Sequence, residues 1–149
     1  MLKGPVAFGV TRENVNADVF FSFVRDILLP RIAPAQDAAH FRRVILWDNL
    51  SVHFDRATLD SVANAGHVIV ARPPYSPDMA PIECAFSKIK LFLRKHKDAI
   101  SEANLSDFIV QAIATITADD AQGWFQHCHY VVPGRQHRPY RSPQWEPLD

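Results

Sequence analysis

The stretch RVILWD at residues 43–48 and the stretch HVIVA at residues 67–71 decide the fold of this chain. Both are short, unbroken runs of β-prone residues, the pattern of strands buried on both faces of a parallel sheet. Between them, Asp55 can cap a helix that runs to about Ala65, and Gly66 can end it. A strand, a helix and a second strand in this order predict the centre of an α/β layer fold.

The segment before these strands predicts one more strand and one more helix. The apolar run at residues 6–10 is short and is followed by polar turn residues, which indicates a strand. Asn16 can cap a helix that runs from about Ala17 to Leu29. Pro30 and Pro34 are expected to end that helix, because proline lacks the backbone donor that a helix interior needs.

The segment after the second strand predicts a stiff loop and three helices. Three prolines within residues 72–80 exclude a helix or an inner strand there. Pro81 suits the first turn of a helix whose apolar residues recur at spacings of four, three and four. Further helices are predicted at Asn104–Thr115 and, after a Thr117 cap, from Ala118 to about Tyr130.

The composition fits one soluble domain with a short tail. Of 149 residues, 48% are apolar or aromatic and 21% are charged, and 16 basic side chains balance 16 acidic ones. A disordered chain would carry fewer apolar residues, and a membrane span would need roughly 18 uninterrupted apolar residues, which occur nowhere. We therefore expect a domain at residues 1–130 and a disordered tail at residues 131–149, where four prolines and three arginines follow no period.

The number of cysteines and the net charge limit which cellular compartment and which binding partners we expect. Two cysteines are too few for a disulfide framework, and the first residues lack the apolar run of a signal peptide. These features predict an intracellular protein, in the nucleus of a eukaryote or in the cytoplasm or nucleoid of a bacterium. Zero net charge excludes binding of polyanions by bulk charge and leaves a local basic face open.

Asp48 and Glu83 are the candidate functional acids. Asp48 follows a strand, where open α/β sheets carry functional groups, and Glu83 lies in the first turn of a helix. Each also has an ordinary explanation, an Asp that starts a turn and a Glu that interacts with a helix dipole. Their separation by 34 residues decides nothing alone, since sixteen acids give a pair at almost any spacing. The context favours function, because the stiff loop at residues 72–80 can bring Glu83 back over the strand ends.

The residues around both acids resemble a known family. The motif WDNLSVH at residues 47–53 is similar to the second-acid motif of mariner-like and bacterial insertion-sequence transposases, the DDE superfamily endonucleases. The motif PYSPDMAPIE at residues 74–83 is similar to their third-acid motif, and the family uses this separation. The resemblance covers roughly residues 4 to 130. It implies a ribonuclease H-like α/β fold, with a mainly parallel sheet flanked by helices, and metal-dependent cleavage and transfer of DNA strands.

The resemblance also implies roles for single residues. Asp48 and Glu83 become catalytic ligands of Mg²⁺ or Mn²⁺, and their carboxylates are expected within about 8 Å of one another, since two bridged ions lie about 4 Å apart. His53, Lys90 and Arg94 are candidate DNA contacts. Lys90 and Arg94 share the side of the helix that carries Glu83, which favours phosphate contacts next to the acids. Two ordinary alternatives stay open. His53 is then a hydrogen-bonding residue of its loop, and Lys90 and Arg94 belong to a solvated face of the helix.

The family's first acid has no counterpart that can be assigned in this sequence. Aligned with the family, Met1 falls near the third strand, so an incomplete fold without the first strands and without a DNA-reading helix-turn-helix is expected. The acids before Asp48 are not predicted to end a strand. They are Glu13, Asp18, Asp26 and Asp37.

Two functions therefore stay open, and so does enzymatic activity. The chain is either a DDE endonuclease domain that acts on DNA, incomplete as it stands, or a catalytically inactive transposase remnant that serves as a nucleic-acid-binding or protein-interaction module. In the fold, residues 6–10 can pair beside residues 43–48 as a third parallel strand. Otherwise the open strand edge favours self-association or pairing with a missing N-terminal segment.

Overall fold

A parallel β-α-β unit forms the first half of the fold. A computed structural model of the chain describes residues 4–32, 43–73 and 76–130. Strands β1 (Val44–Trp47) and β2 (Val68–Ala71) pair in parallel, with Val44 opposite Val68 and Trp47 opposite Ala71. Helix α3 (Arg56–Asn64) lies between them in the chain. Over the described ranges the sheet has these two strands, and the predicted order of strand, helix and strand is confirmed.

Local signals fix the ends of α3 as predicted. The Asp55 carboxylate accepts hydrogen bonds from the backbone N–H groups of Ala57 at 3.0 Å and of Thr58 at 3.3 Å. These two donors have no partner within the helix, so the cap stabilises its first turn. Gly66 then adopts a left-handed φ of 77°, which reverses the chain toward β2 at little steric cost.

The sheet is covered on one face, which corrects the prediction of strands buried on both faces. Ile45, Trp47 and Ile69 face the core, whereas Val44 is 60% exposed and Val70 is 43% exposed. Side chains alternate between the two faces of a strand, so one layer of helices buries only every second residue. The core residues here are Val24, Trp47 and Val62, bordered by Phe20, Phe23, Leu29 and Leu59.

The N-terminal helix continues through Pro30, which the sequence predicted as its end. Helix α1 (Ala17–Phe23) leads into a π-helical turn (Val24–Leu28) and then into α2 (Leu29–Ile32). The predicted cap is confirmed, since the Asn16 side chain accepts from the Val19 N–H at 2.9 Å. In the π turn the Leu29 N–H donates to the Val24 carbonyl, five residues back. The helix therefore accommodates Pro30 directly after a turn whose hydrogen bonds run five residues back instead of four. Pro34 lies outside the described residues.

Residues 6–10 are not a strand, so the prediction of a strand there, and of a third parallel strand, is wrong. Val6 and Phe8 are 44% and 43% exposed, and the segment joins no sheet. It is held instead by its two ends. At one end, Gly4 lies so close to Ile116 that an added Cβ would come within 2.9 Å of the Ile116 carbonyl oxygen. At the other end, the Arg12 guanidinium donates to the Glu102 carbonyl at 2.6 Å. A short strand is stable only with a ladder partner, and these contacts direct the segment toward the C-terminal helices.

Three helices form the second half of the fold, close to their predicted bounds. They are α4 (Pro81–Lys95), α5 (Leu105–Ala114) and α6 (Ala118–His127), and α4 packs against both others. Short 3₁₀ turns occupy Ser51–Phe54, Pro77–Met79 and Lys97–Ala99. No helix in the described part of the chain has the length and apolarity needed to cross a membrane.

Helix α6 begins as predicted and ends earlier than predicted. Thr117 and Asp120 form a reciprocal capping box at its start. At its end His129 adopts a left-handed φ of 63°, and the Tyr130 N–H donates back to the Phe125 carbonyl at 2.9 Å. This closing turn satisfies a terminal carbonyl and stops the helix. The predicted tail at residues 131–149 lies outside the described residues.

Candidate functional site

Asp48 lies at the carboxyl end of β1, as the sequence predicted. It is the first residue after the strand, and its side chain is 52% exposed. Its Oδ1 atom accepts from the Leu50 N–H at 3.4 Å and lies 2.6 Å from Nδ1 of His53. The carboxylate is therefore anchored by the turn that follows it, while much of its surface stays open to a ligand.

His53 is held in an aromatic pocket beside Asp48. Its side chain is 16% exposed, and its ring centroid lies 4.2 Å from that of Phe20 and 5.8 Å from that of Trp47. The two groups are in close contact, although the contact does not meet the geometry of a hydrogen bond. The aromatic rings fix the imidazole, and the imidazole in turn restricts where the Asp48 carboxylate can move.

Glu83 lies in the first turn of α4, where the helix dipole favours a carboxylate. Pro81 occupies the first helical position, and the Glu83 N–H donates to the Ala80 carbonyl at 3.0 Å. The exposed Glu83 side chain borders a cavity of about 390 Å³. The other lining residues are Asp78, Ala80, Cys84, Ser87, Trp124, His127 and Cys128.

This cavity adds residues that the sequence analysis did not single out. Asp78 is a second acid beside Glu83, and its signal was present, since it stands in the motif at residues 74–83. His127 reaches the cavity from α6, and the run HCH at residues 127–129 predicted no site by itself, because the sequence has no companion Cys or His pair at zinc-like spacing. Burial, followed by charge interactions with Cys84 and Asp78, raises the pKa of the Cys128 thiol. The cavity thus groups carboxylates, an imidazole and two thiols at the end of one helix pair.

The loop that leads to Glu83 begins beside Asp48. The Arg72 N–H donates to the Trp47 carbonyl at 2.9 Å, which joins the ends of the two strands. The Arg72 guanidinium then donates to the Ser76 carbonyl at 3.3 Å. Asp48 does not line the cavity that Glu83 borders, and the expected approach of the two carboxylates to within about 8 Å stays a prediction.

Lys90 and Arg94 are exposed on α4. They follow Glu83 by seven and eleven residues, which returns them to the same side of the helix. Lys88 differs from both, because it donates to Asp120 of α6 and to the Thr115 carbonyl. The role of Lys90 and Arg94 as DNA contacts stays a prediction, and their exposure leaves them accessible to a phosphate.

The donor set of the two acids fits a hard divalent cation. Carboxylate oxygens with open surface around them suit Mg²⁺, which keeps several of its own waters and takes one or two protein carboxylates. Within residues 4–32, 43–73 and 76–130, no three His, Cys, Asp or Glu side chains are arranged to hold a metal. As predicted, Asp18 and Asp26 lie on the N-terminal helix, where Asp26 is paired with Arg25 at 2.6 Å. Asp37 lies outside the described residues.

Comparison with known proteins agrees with the resemblance of the two motifs. Residues 1–106 match the sequence model of the family described as DDE superfamily endonuclease, and both motifs fall inside this range. No curated protein and no solved structure matches the chain. The match covers more than two thirds of the 149 residues, which includes β1, β2 and the whole of α4.

Proposed function

Because the chain belongs to the DDE superfamily of endonucleases, we propose that it supplies two metal-binding acids of a ribonuclease H-like domain that cleaves and joins DNA strands. The observation that carries this proposal is the hydrogen bond of 2.9 Å from the Arg72 N–H to the Trp47 carbonyl. It starts the loop to Glu83 at the sheet edge where Asp48 stands. Catalytic groups of open α/β sheets lie at this edge, outside the carboxyl ends of the strands.

Each acid has a distinct support in the fold. Asp48 would hold one side of the metal site, with the imidazole of His53 restricting its carboxylate at 2.6 Å. Glu83 would hold the other side from the first turn of α4, where the backbone N–H groups stabilise its negative charge. A bound pair of Mg²⁺ or Mn²⁺ ions supplies activation of the attacking hydroxyl and stabilisation of the leaving oxygen.

DNA is the substrate class that this chemistry and the family imply. Lys90 and Arg94 extend from Glu83 along one side of α4, so a strand with its scissile phosphate near the acids would pass both cations. Contacts of this kind place a phosphate backbone without reading its sequence. They leave the choice of target to other parts of the protein or to its partners.

Binding of Mn²⁺ tests the site directly. We expect Asp48→Ala and Glu83→Ala each to weaken Mn²⁺ binding, measured by electron paramagnetic resonance, by about tenfold or more, since each removes a charged ligand. Asp60→Ala is the matched control, because Asp60 is an exposed acid of α3 that pairs with Arg56. Equal affinity in the wild type and in both site variants would contradict the assignment.

Strand cleavage is expected to be weak or absent in this 149-residue chain on its own. Two carboxylates without an assignable third hold at most an incomplete metal pair. The assay is nicking of supercoiled plasmid with Mg²⁺ or Mn²⁺. Strong nicking that Asp48→Ala abolishes would show that a third acid acts within this chain.

One observation favours the second candidate function, a catalytically inactive module that binds nucleic acid or protein. No three potential metal ligands come together in the described residues. Such a module would bind duplex DNA equally well with Mg²⁺ and with a chelator, and Asp48→Ala would leave that binding unchanged. A divalent ion that strengthens DNA binding in the wild type, and fails to do so in Asp48→Ala, would exclude this alternative.

A further inference from the structure

Both cysteines of the chain meet in one cavity, although 43 residues separate them in the sequence. Cys84 lies in the first half of α4, directly after Glu83, and Cys128 caps the end of α6. The packing of α4 against α6 brings the two side chains to the wall of the same cavity. Both are thiols in this structure.

The two thiols differ in their access to solvent. Cys128 is 3% exposed, whereas Cys84 is partly exposed. A reagent in solution therefore meets Cys84 first. Once Cys84 carries a leaving group, the sulfur of Cys128 is a nucleophile that the packed helix pair holds in the same cavity. This is the arrangement of an attacking cysteine with a resolving cysteine.

We propose that Cys84 and Cys128 form a reversible disulfide within one chain when the protein meets a small-molecule disulfide such as oxidised glutathione. The Cys84 thiolate attacks one glutathione sulfur, which forms a mixed disulfide and releases one reduced glutathione. The Cys128 sulfur then attacks the Cys84 sulfur, loses its proton and releases the second reduced glutathione. The two protein thiols are oxidised and one glutathione disulfide is reduced to two thiols, so atoms and electrons balance.

The bond would link the helix turn that carries Glu83 to the end of α6. In the reduced protein, the 3₁₀ turn directly before α4 is joined to the segment after α6 by a hydrogen bond of 2.9 Å from the Tyr130 hydroxyl to the Met79 carbonyl. A covalent bond from Cys84 to Cys128 would add a second link between these two parts of the fold under oxidising conditions, and reduction would remove it. The proposal goes beyond the DNA chemistry above and does not depend on it.

The experiment uses the full chain at low protein concentration, equilibrated without oxygen over a series of ratios of reduced to oxidised glutathione. The products are trapped with acid and a maleimide and identified by mass spectrometry. We expect the main oxidised product to have lost two hydrogens, to carry no glutathione and to give one peptide pair joined through Cys84 and Cys128. We expect Cys128→Ser to accumulate glutathione on Cys84, and Cys84→Ser to react more slowly because Cys128 is buried.

Three results would overturn the proposal. One is a wild-type chain that carries glutathione on Cys84 while Cys128 stays a thiol. Another is a disulfide that forms only between two molecules, with a yield that rises with protein concentration. The third is equal reactivity of the two thiols. If a serine variant does not fold, the peptide map of the wild type still decides, and the emission of Trp124 beside the thiols follows the reaction in the folded chain.

Discussion

The ion pair between Lys88 of α4 and Asp120 of α6 holds the helix that carries Glu83, and Asp120→Asn tests its contribution. The Lys88 ammonium donates both to the Asp120 carboxylate and to the Thr115 carbonyl, the latter at 2.9 Å. The same carboxylate oxygen accepts from the Thr117 N–H at 2.8 Å and from the Thr117 hydroxyl at 2.9 Å. One carboxylate thus joins a helix cap to a contact between two helices.

The size of the effect follows from the pKa of Asp120. The hydrogen bond from Lys88, followed by that from the Thr117 backbone, lowers this pKa from 3.8 to about 2. That difference corresponds to about 2.4 kcal/mol of stability when the carboxylate is ionised. Because the Asp120 side chain is 27% exposed, solvent screening reduces the expected contribution to about 1–2 kcal/mol.

The sign of the pH dependence is fixed by the direction of the shift. The pKa of Asp120 is lower in the folded chain than its ordinary value of 3.8, so the folded state favours the ionised carboxylate. This stabilisation is fully present above pH 3.8 and is lost as the pH falls through about 2. The stability gap between the wild type and Asp120→Asn should therefore narrow in acid.

Urea unfolding followed by circular dichroism measures this gap. At neutral pH we expect Asp120→Asn to lower the free energy of unfolding by about 1–2 kcal/mol, and at about pH 3 by clearly less. Asp119→Asn is the matched control, since Asp119 lies in the same helical turn, is exposed and should cost at most about 0.5 kcal/mol through the helix dipole. Equal losses in the two variants, or a gap that stays constant toward acid pH, would refute the reasoning.

Three further predictions address the helix cap, the core and the basic face. Removing the α3 cap with Asp55→Ala should lower stability by about 1 kcal/mol. Asp60→Ala breaks only an exposed ion pair and should cost clearly less, so equal shifts in thermal unfolding would contradict this prediction. Val62→Ala should cost about 2 kcal/mol in urea unfolding because Val62 is fully buried, and a loss below about 0.5 kcal/mol would show that it does not pack as described. Replacing both Lys90 and Arg94 with Ala should reduce the slope of log affinity for duplex DNA against log salt by about 1.8, and an unchanged slope would leave them a solvated face.

Features set by neighbouring residues could be predicted from the sequence. Asp55 caps α3 because its own side chain reaches the first N–H groups of the helix, and Gly66 ends the turn because only glycine adopts that backbone conformation at little steric cost. The capping box of Thr117 and Asp120 depends on residues three positions apart. Each of these signals acts within one turn of chain, so no knowledge of the tertiary structure was needed.

Features set by distant partners could not be predicted in this way. Residues 6–10 have the apolar character of a strand, yet a strand also needs a ladder partner. Gly4 and Arg12 instead contact the loops that precede α6 and α5, which directs the segment elsewhere. Pro30 carries a strong local signal to end a helix, which the π turn before it overcomes. Core contacts of Val24 and Leu29 hold that helix in place, and no local pattern reports them.

The candidate site combines both kinds of information. The apolar run of β1 places Asp48 at a strand end, and Pro81 places Glu83 in a first helical turn, so each acid was predictable alone. Their approach depends on the loop between them, which is tied to the sheet at Arg72 and to the end of α6 at Met79. The two acids are therefore positioned by different parts of the fold. A cation that binds both would join the sheet to the α4–α6 pair, so its binding would stabilise the fold as well as supply chemistry.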